Sequence, residues 1–284
     1  MKKMAGVVVS ADEQLALATN FLLSSPPGEI KEVLRDVSVL CPLLSDQVSH
    51  GVFHKYNNKM SQVLTSGDIS VIMDECTEID PSHYYDSRHG NVIQVDQMAQ
   101  EIVDQVSGVD VPSKMQGLDE EREAVESAMQ RYIDSQYAVG TTTCNVVPQG
   151  DILVVLISGE KLNLKNFWGG RWQSKFYIDL DSKTLEGVIK VYIHYFEDGN
   201  VQMNTDKSVD NVSISFSGGN ADDMAKAVVA EISNQESEVQ DSLEEMYVNM
   251  SKETFKDMRR VLPITRQKMD WSGAQMQLAK GFKK

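Results

Sequence analysis

Cysteine is scarce: Cys41, Cys76 and Cys144 are the only three in 284 residues, too few and too scattered for a disulfide framework or a cysteine-based zinc site. A reducing, cytoplasmic compartment suits such a chain. Long apolar runs are missing too, and none approaches membrane-spanning length. The opening MKKMAGVVVSADEQLALA imitates a secretory signal, but Asp12 and Glu13 interrupt its apolar run. Without secretion, the sequons at Asn211 and Asn249 carry no meaning. Positive charge is short as well: 27 Lys and Arg face 42 Asp and Glu, for a net charge of -15. That excludes nucleic acid as the main ligand of the body, because a phosphate backbone is held chiefly by clustered Lys and Arg.

Motifs of catalysis are absent. The chain holds no Gly-x-x-x-x-Gly-Lys-Ser/Thr loop, no Gly-x-Ser-x-Gly elbow and no Gly-x-Gly-x-x-Gly. His50 and His54 stand four apart on one face of an expected helix, yet no third ligand is placed with them. Asp179 and Asp181 begin like a calcium loop, which then fails: Lys183 takes the fifth position, Thr184 replaces the glycine, and Lys190 stands where the bidentate Glu belongs. Ser217 to Asn220 (SGGN) opens a helix whose positive end Asp222 and Asp223 already occupy. Cys144 reads as a small core residue in a strand. No enzyme, cofactor or metal is expected.

What is present is enough apolar residue, 41%, to bury a real core. Ser10 and Glu13 form a capping box, so a helix is expected over 11–23. SSPPGE breaks it, and Ile30, Val33, Leu34, Val37 and Leu40 mark the apolar face of a second. A third is expected over 45–64. Two strands, ISVIM and NVIQV, follow with a long connection, then a helix near 119–138 with Ala124, Met129 and Ile133 in its core face. TTTCNVV, DILVVLIS, RWQSKFYIDL, TLEGVIKVYIHYF and NVSISF read as consecutive antiparallel strands, with Glu197 to Asn200 turning a hairpin. From Ala221 to Arg260 no Gly or Pro occurs, which predicts one long helix stopped by Pro263, with Ala227, Val228, Ile232, Val239, Leu243 and Met246 as its stripe. The fold class expected is α+β, one mixed domain with a C-terminal appendage.

That appendage reverses the sign of the chain. Residues 252–284 carry nine basic and three acidic side chains, whereas everything before them carries 18 basic and 39 acidic. Beyond Pro263, Trp271, Ala274, Leu278 and Phe282 fall on one stripe of a short helix, with Lys280, Lys283 and Lys284 tending to the other side. Such a segment can fold back on its core, lie on a membrane, enter a partner's groove, or remain a poorly ordered tail. Trp271 argues against the last, since a frayed tail would expose its ring for no return.

Four stretches, SSPPGEIKEVLRDV (24–37), KNFWGGRWQSKF (165–176), IHYFEDGNVQM (193–203) and TFKDMRRVLPITRQKMDW (254–271), resemble the α-subunit family of F-actin capping proteins, in its order and spacing. The resemblance implies an N-terminal helical stalk (1–66), a mixed region with an antiparallel sheet (67–217), a long C-terminal helix across the sheet (218–260) and a basic amphipathic tentacle (261–284). It further implies an obligate heterodimer in which a β subunit completes one intersubunit sheet. The heterodimer would cap the barbed end of the actin filament, independently of Ca2+, blocking subunit addition and loss in the cytoplasmic cytoskeleton. Lys256, Arg260 and Arg266 would form a basic triad on actin, with Arg259 and Lys268 as auxiliaries and Met269, Trp271, Leu278 and Phe282 in a hydrophobic actin groove. Anionic phosphoinositides and capping-protein regulators are implied as further partners. Gly273 and Ala274 depart from the bulkier pattern of the tentacle, and residues 74–90 match poorly and receive no role. The alternative function is a peripheral membrane protein that binds anionic lipid through the same terminus.

Overall fold

The computed structural model describes residues 10–44, 46–67, 69–106, 110–138, 140–197, 200–216 and 220–249, with Gln47 described in its backbone only. The chain forms two units, Met1–Ser237 and Glu238–Lys284.

The first unit opens with three helices. Helix α1, Ala11–Leu23, starts at the expected capping box: the Glu13 amide donates to the Ser10 hydroxyl at 3.3 Å and the Glu13 carboxylate accepts from the Ser10 amide at 2.9 Å. At the break before the second helix, Gly28 has φ +81°, and a Cβ there would lie 2.6 Å from the Leu162 side chain. Glycine satisfies both demands at once.

Helix α2, Ile30–Leu40, buries Ile30 and Val37, but Leu40 is 82% exposed. At about 100° per residue, Val37 returns to within about 20° of Ile30, whereas Leu40 lands about 80° away. Helix α3, Asp46–Lys59, ends before the expected boundary. Ser61 adopts φ 42°, and Val63 and Leu64 pair with Ile72 and Val71 in a two-stranded sheet of β1 (Val63–Ser66) and β2 (Ile69–Ile72). The apolar pair fitted a helical period, yet it finds its partners across the turn near Gly67. Leu22, Ile30, Val52, Phe53, Tyr56 and Met60 bind the three helices into one core.

The expected long connection is itself sheet. Strands β3 (Glu78–Asp80), β4 (His83–Asp86), β5 (Asn91–Asp96) and β6 (Glu101–Val106) form an antiparallel sheet in that order. Strands β3 and β4 are too short, and β6 too polar, to leave an alternating signature. Helix α4, Asp119–Gln136, buries Val125, Met129 and Ile133, while Ala124 is half-buried.

The centre of the unit is a five-stranded antiparallel meander: β7 (Thr142–Gln149), β8 (Ile152–Asn163), β9 (Trp168–Asp179), β10 (Thr184–Tyr195) and β11 (Val201–Ser213). Leu153 to Ile157 of β8 are all buried, as expected for a strand covered on both faces. Strand β11 begins ten residues before the expected NVSISF, with Val201 opposite Tyr195. Its run VQMNTDKSVD is too polar to advertise a strand.

Helix α5, Ala221–Asn249, spans the boundary of the two units. Before it, Met224, Ala225, Val228 and Ile232 are buried and Ala227 is half-buried. Past it, Val239 is buried, Leu243 half-buried and Met246 exposed. The expected continuation to Arg260 and Pro263 lies outside the described residues.

Candidate functional site

All nine residues expected to bind a partner, Lys256, Arg259, Arg260, Arg266, Lys268, Met269, Trp271, Leu278 and Phe282, lie outside the described residues. So do Gly273 and Ala274, and Ser217 to Gly219 of the SGGN loop. The described structure contributes the helix that precedes this segment in sequence, and the way its first part is fixed.

Glu236 of α5 is completely buried. Its Oε2 accepts from the Tyr132 and Tyr137 hydroxyls, each at 2.8 Å, and its Oε1 accepts from Ser174 Oγ at 2.5 Å and Trp172 Nε1 at 3.1 Å. One carboxylate thus ties α5 to α4 and to β9. Burial first, and then the Glu236 charge, push both phenols well above the usual tyrosine range, so they remain donors. A buried charge survives only when its lone pairs are satisfied, and four donors meet that condition.

The opposite face of β9 meets the segment 74–90. Lys175 Nζ lies 2.6 Å from Asp74, which also accepts from the Cys76 amide at 2.9 Å. Burial would lower the Lys175 ammonium, but the Asp74 charge and hydrogen bond outweigh it and hold the group raised. Arg171 is buried and binds the Met60 carbonyl, Gln62 and Glu160. Between α3, this segment and the sheet lies a cavity of about 360 Å³, lined by both residues of the Lys175–Asp74 pair and by His54 and Glu78.

The minor sequence candidates resolve in this frame. His54 Nε2 is 3.0 Å from Glu78. Among the described residues no group of three or more His, Cys, Asp and Glu is placed to hold a metal ion. Asp179 accepts from the amides of Asp181 and Ser182, the geometry of a tight turn. Cys144 is buried, and burial first, then Glu126, pushes its thiol up to about 12, far from a reactive thiolate.

The edges of the large sheet differ. On the free side of β7, the Cys144 carbonyl accepts from Arg88 and the Val146 carbonyl from Ser87. Strand β11 pairs only with β10 among the described residues, and most of its side chains are exposed.

A family model for the F-actin capping protein alpha subunit matches residues 18–281, nearly the whole chain. The chain belongs to that family. This is a structural family, so this capping protein α-family member is not an enzyme. It is similar to the F-actin-capping protein subunit alpha of Dictyostelium discoideum, with 33% identity covering 97% of this chain and 98% of the other. The Arabidopsis thaliana subunit is 32% identical, covering 93% and 90%. The structure of a homodimeric actin capping protein alpha subunit from Plasmodium berghei shares the fold, with a TM-score of 0.74 at 20% identity over 91% of this chain and all of that one. The α+β class, the antiparallel sheet and the C-terminal helix therefore stand. A lipid-binding reading of the terminus finds no support in these relatives, and no helix among the described residues is long and apolar enough to cross a membrane.

Sequence reasoning missed Glu236, Lys175 and Asp74. Each sat in an element correctly expected or left blank, but its partner lay 62, 101 or more residues away. The signal available was position: Glu236 follows Val228 and Ile232 at spacings of four on the core-facing stripe of α5, where a carboxylate needs partners.

Proposed function

We propose that this chain is the α subunit of a heterodimeric capping protein that binds the barbed end of actin filaments without Ca2+ and blocks both addition and loss of subunits. The observation that carries the reading is the extent of the family match: it runs to residue 281 and so includes Lys256, Arg260 and Arg266. Those cations would meet acidic actin surface, with Arg259 and Lys268 beside them, while Met269, Trp271, Leu278 and Phe282 enter an apolar groove. The domain division into stalk, mixed region, long helix and tentacle belongs to the same proposal.

Two physical effects give the activity. The sign reversal between the acidic body and residues 252–284 steers the molecule onto actin basic end first and makes the on-rate salt-dependent. A second tentacle on the β subunit makes the later contact effectively intramolecular, so release is slow. That β11 pairs only with β10 among the described residues supports a partner subunit that extends the sheet, since an uncovered edge invites aggregation. Phe21 and Leu17 on α1, and Val39 and Leu40 on α2, are exposed apolar side chains that a partner would cover. The same terminal cations are the expected contact for anionic phospholipids and for regulators that compete with actin.

The test is seeded elongation of pyrene-labelled actin by the co-expressed heterodimer in EGTA. Wild type should stop barbed-end growth, and the triple substitution Lys256→Ala, Arg260→Ala, Arg266→Ala should lose most capping while the heterodimer stays assembled. Full capping by the triple variant removes these residues from the site.

A further inference from the structure

Helix α5 carries a carboxylate where its pattern asks for an apolar side chain. Met224, Ala225, Val228 and Ile232 are buried, Glu236 continues their stripe and is completely buried, and from Gln240 to Asn249 no described side chain is buried. Stability alone does not call for a charge there, because a buried, fully bonded charge is worth about as much as a well-packed apolar group of the same volume. What the carboxylate adds is direction. Apolar contacts are non-directional, so a ridge of similar side chains can settle into a neighbouring groove. Glu236 instead takes the hydroxyls of Tyr132 and Tyr137, at the C-terminal end of α4, on Oε2, and Ser174 Oγ and Trp172 Nε1 of β9 on Oε1. Four donors from two elements are met together in only one rotation and one axial position of the helix.

We propose that Glu236 is a positioning residue for capping: it fixes the register of α5 on α4 and β9, and with it the presentation of the basic segment to the filament end. The inference rests on the actin-binding reading of Lys256 to Phe282. Helix α5 runs unbroken from Ala221 to Asn249, and the sequence from Ala221 to Arg260 holds no Gly or Pro to absorb a slip. One residue of an α-helix is about 100° of rotation, so a register error of one residue at Glu236 turns every later side chain of the helix by that angle. Two contacts that must be made at once on the filament do not tolerate such an error. Long-range steering does, since it depends on net charge. Register therefore governs how long the cap stays, and charge governs how fast it arrives.

Single-filament elongation of actin with the co-expressed heterodimer in EGTA gives the two rates separately, from the wait before growth stops and the pause before it resumes. The decisive variant removes the hub at once, Glu236→Leu with Tyr132→Phe and Tyr137→Phe, so that neither a charge nor a phenol is stranded. Trp172 Nε1 keeps Ser174 Oγ as its acceptor at 2.9 Å. The urea midpoint of this variant should stay near that of wild type, its on-rate should hold within about twofold, and its off-rate should rise about tenfold. Glu236→Gln, whose Oε1 still accepts from β9 while Nε2 donates to the phenol oxygens, should release near the wild-type rate. Tyr132→Phe with Tyr137→Phe leaves Glu236 two donors, should give an intermediate off-rate, and decides the matter if the triple variant does not assemble. Ile93→Ala, in a core cluster that holds none of the hub residues, should lower stability and leave the off-rate unchanged. The inference is overturned if the hub variants release at the wild-type rate, if Glu236→Gln releases as fast as the apolar triple, or if Ile93→Ala releases as fast as the hub variants. Wild type that does not cap overturns the actin reading and this inference with it, whereas wild type that caps no more durably than its hub variants overturns this inference alone.

Discussion

Tyr137 and Glu236 are 99 residues apart in the chain, and their side chains meet at 2.8 Å in a buried pocket. The contact joins the end of helix α4 to helix α5, and with Tyr132, Ser174 and Trp172 it turns one carboxylate into a hub. Such a group is costly to bury and costly to remove once its donors depend on it.

Glu236→Ala should therefore destabilise the protein by about 3 kcal/mol, since it strands several buried donors at once. Tyr137→Phe removes one charge-assisted bond and should cost about half as much. Urea unfolding followed by tryptophan fluorescence measures both. Equal stability of Glu236→Ala and wild type would show that the donors find water instead.

The Lys175–Asp74 pair gives a second prediction. Lys175→Met leaves Asp74 buried without its cation and should cost about 3 kcal/mol. Adding Asp74→Asn should recover much of the loss, because no uncompensated charge then remains. A double-mutant cycle in denaturant midpoints reads the coupling, and additive losses would mean that the pair is not coupled.

Helix α1 should respond to pH. The hydrogen bond from the Ser10 amide, then that from its hydroxyl, holds the exposed Glu13 carboxyl below the usual range. A folded-state pKa that is depressed contributes stability present above the unfolded value and lost as pH falls through the folded one. Amide protection factors in the first turn of α1 should fall in that acidic window, and Glu13→Gln should remove the dependence, whereas Ser10→Ala, which keeps the residue-10 amide, should only reduce it. A flat profile in wild type would contradict the capping-box account.

The two edges of the large sheet should respond differently to a partner subunit. Amides of β11 should gain at least tenfold protection from hydrogen exchange on assembly, as an edge strand does when it is paired. Those of β7, whose free carbonyls already accept from Ser87 and Arg88, should change little. Protection gained at β7 in place of β11 would put the seam on the other side.

The sequence by itself determined the local elements whose signals are chemical and near-neighbour. Ser10 and Glu13 set the start of α1 to the residue, and the β-branched runs of β8 and the Gly- and Pro-free run of α5 each declared their type. The charge reversal from Lys252 onward and the motif TFKDMRRVLPITRQKMDW were equally plain, because a pattern written in contiguous residues needs no fold to be read. Tertiary structure decided what depends on distant partners. Val63 and Leu64 left the helical pattern for a hairpin with Ile72 and Val71, and polar β11 became a strand because β10 supplied its ladder. The segment 74–90, silent in sequence, acquired its place when Asp74 met Lys175. Helical and strand periods record which face is apolar; they do not record which element will cover it, and a buried charge such as Glu236 declares itself only when its donors arrive from other parts of the chain.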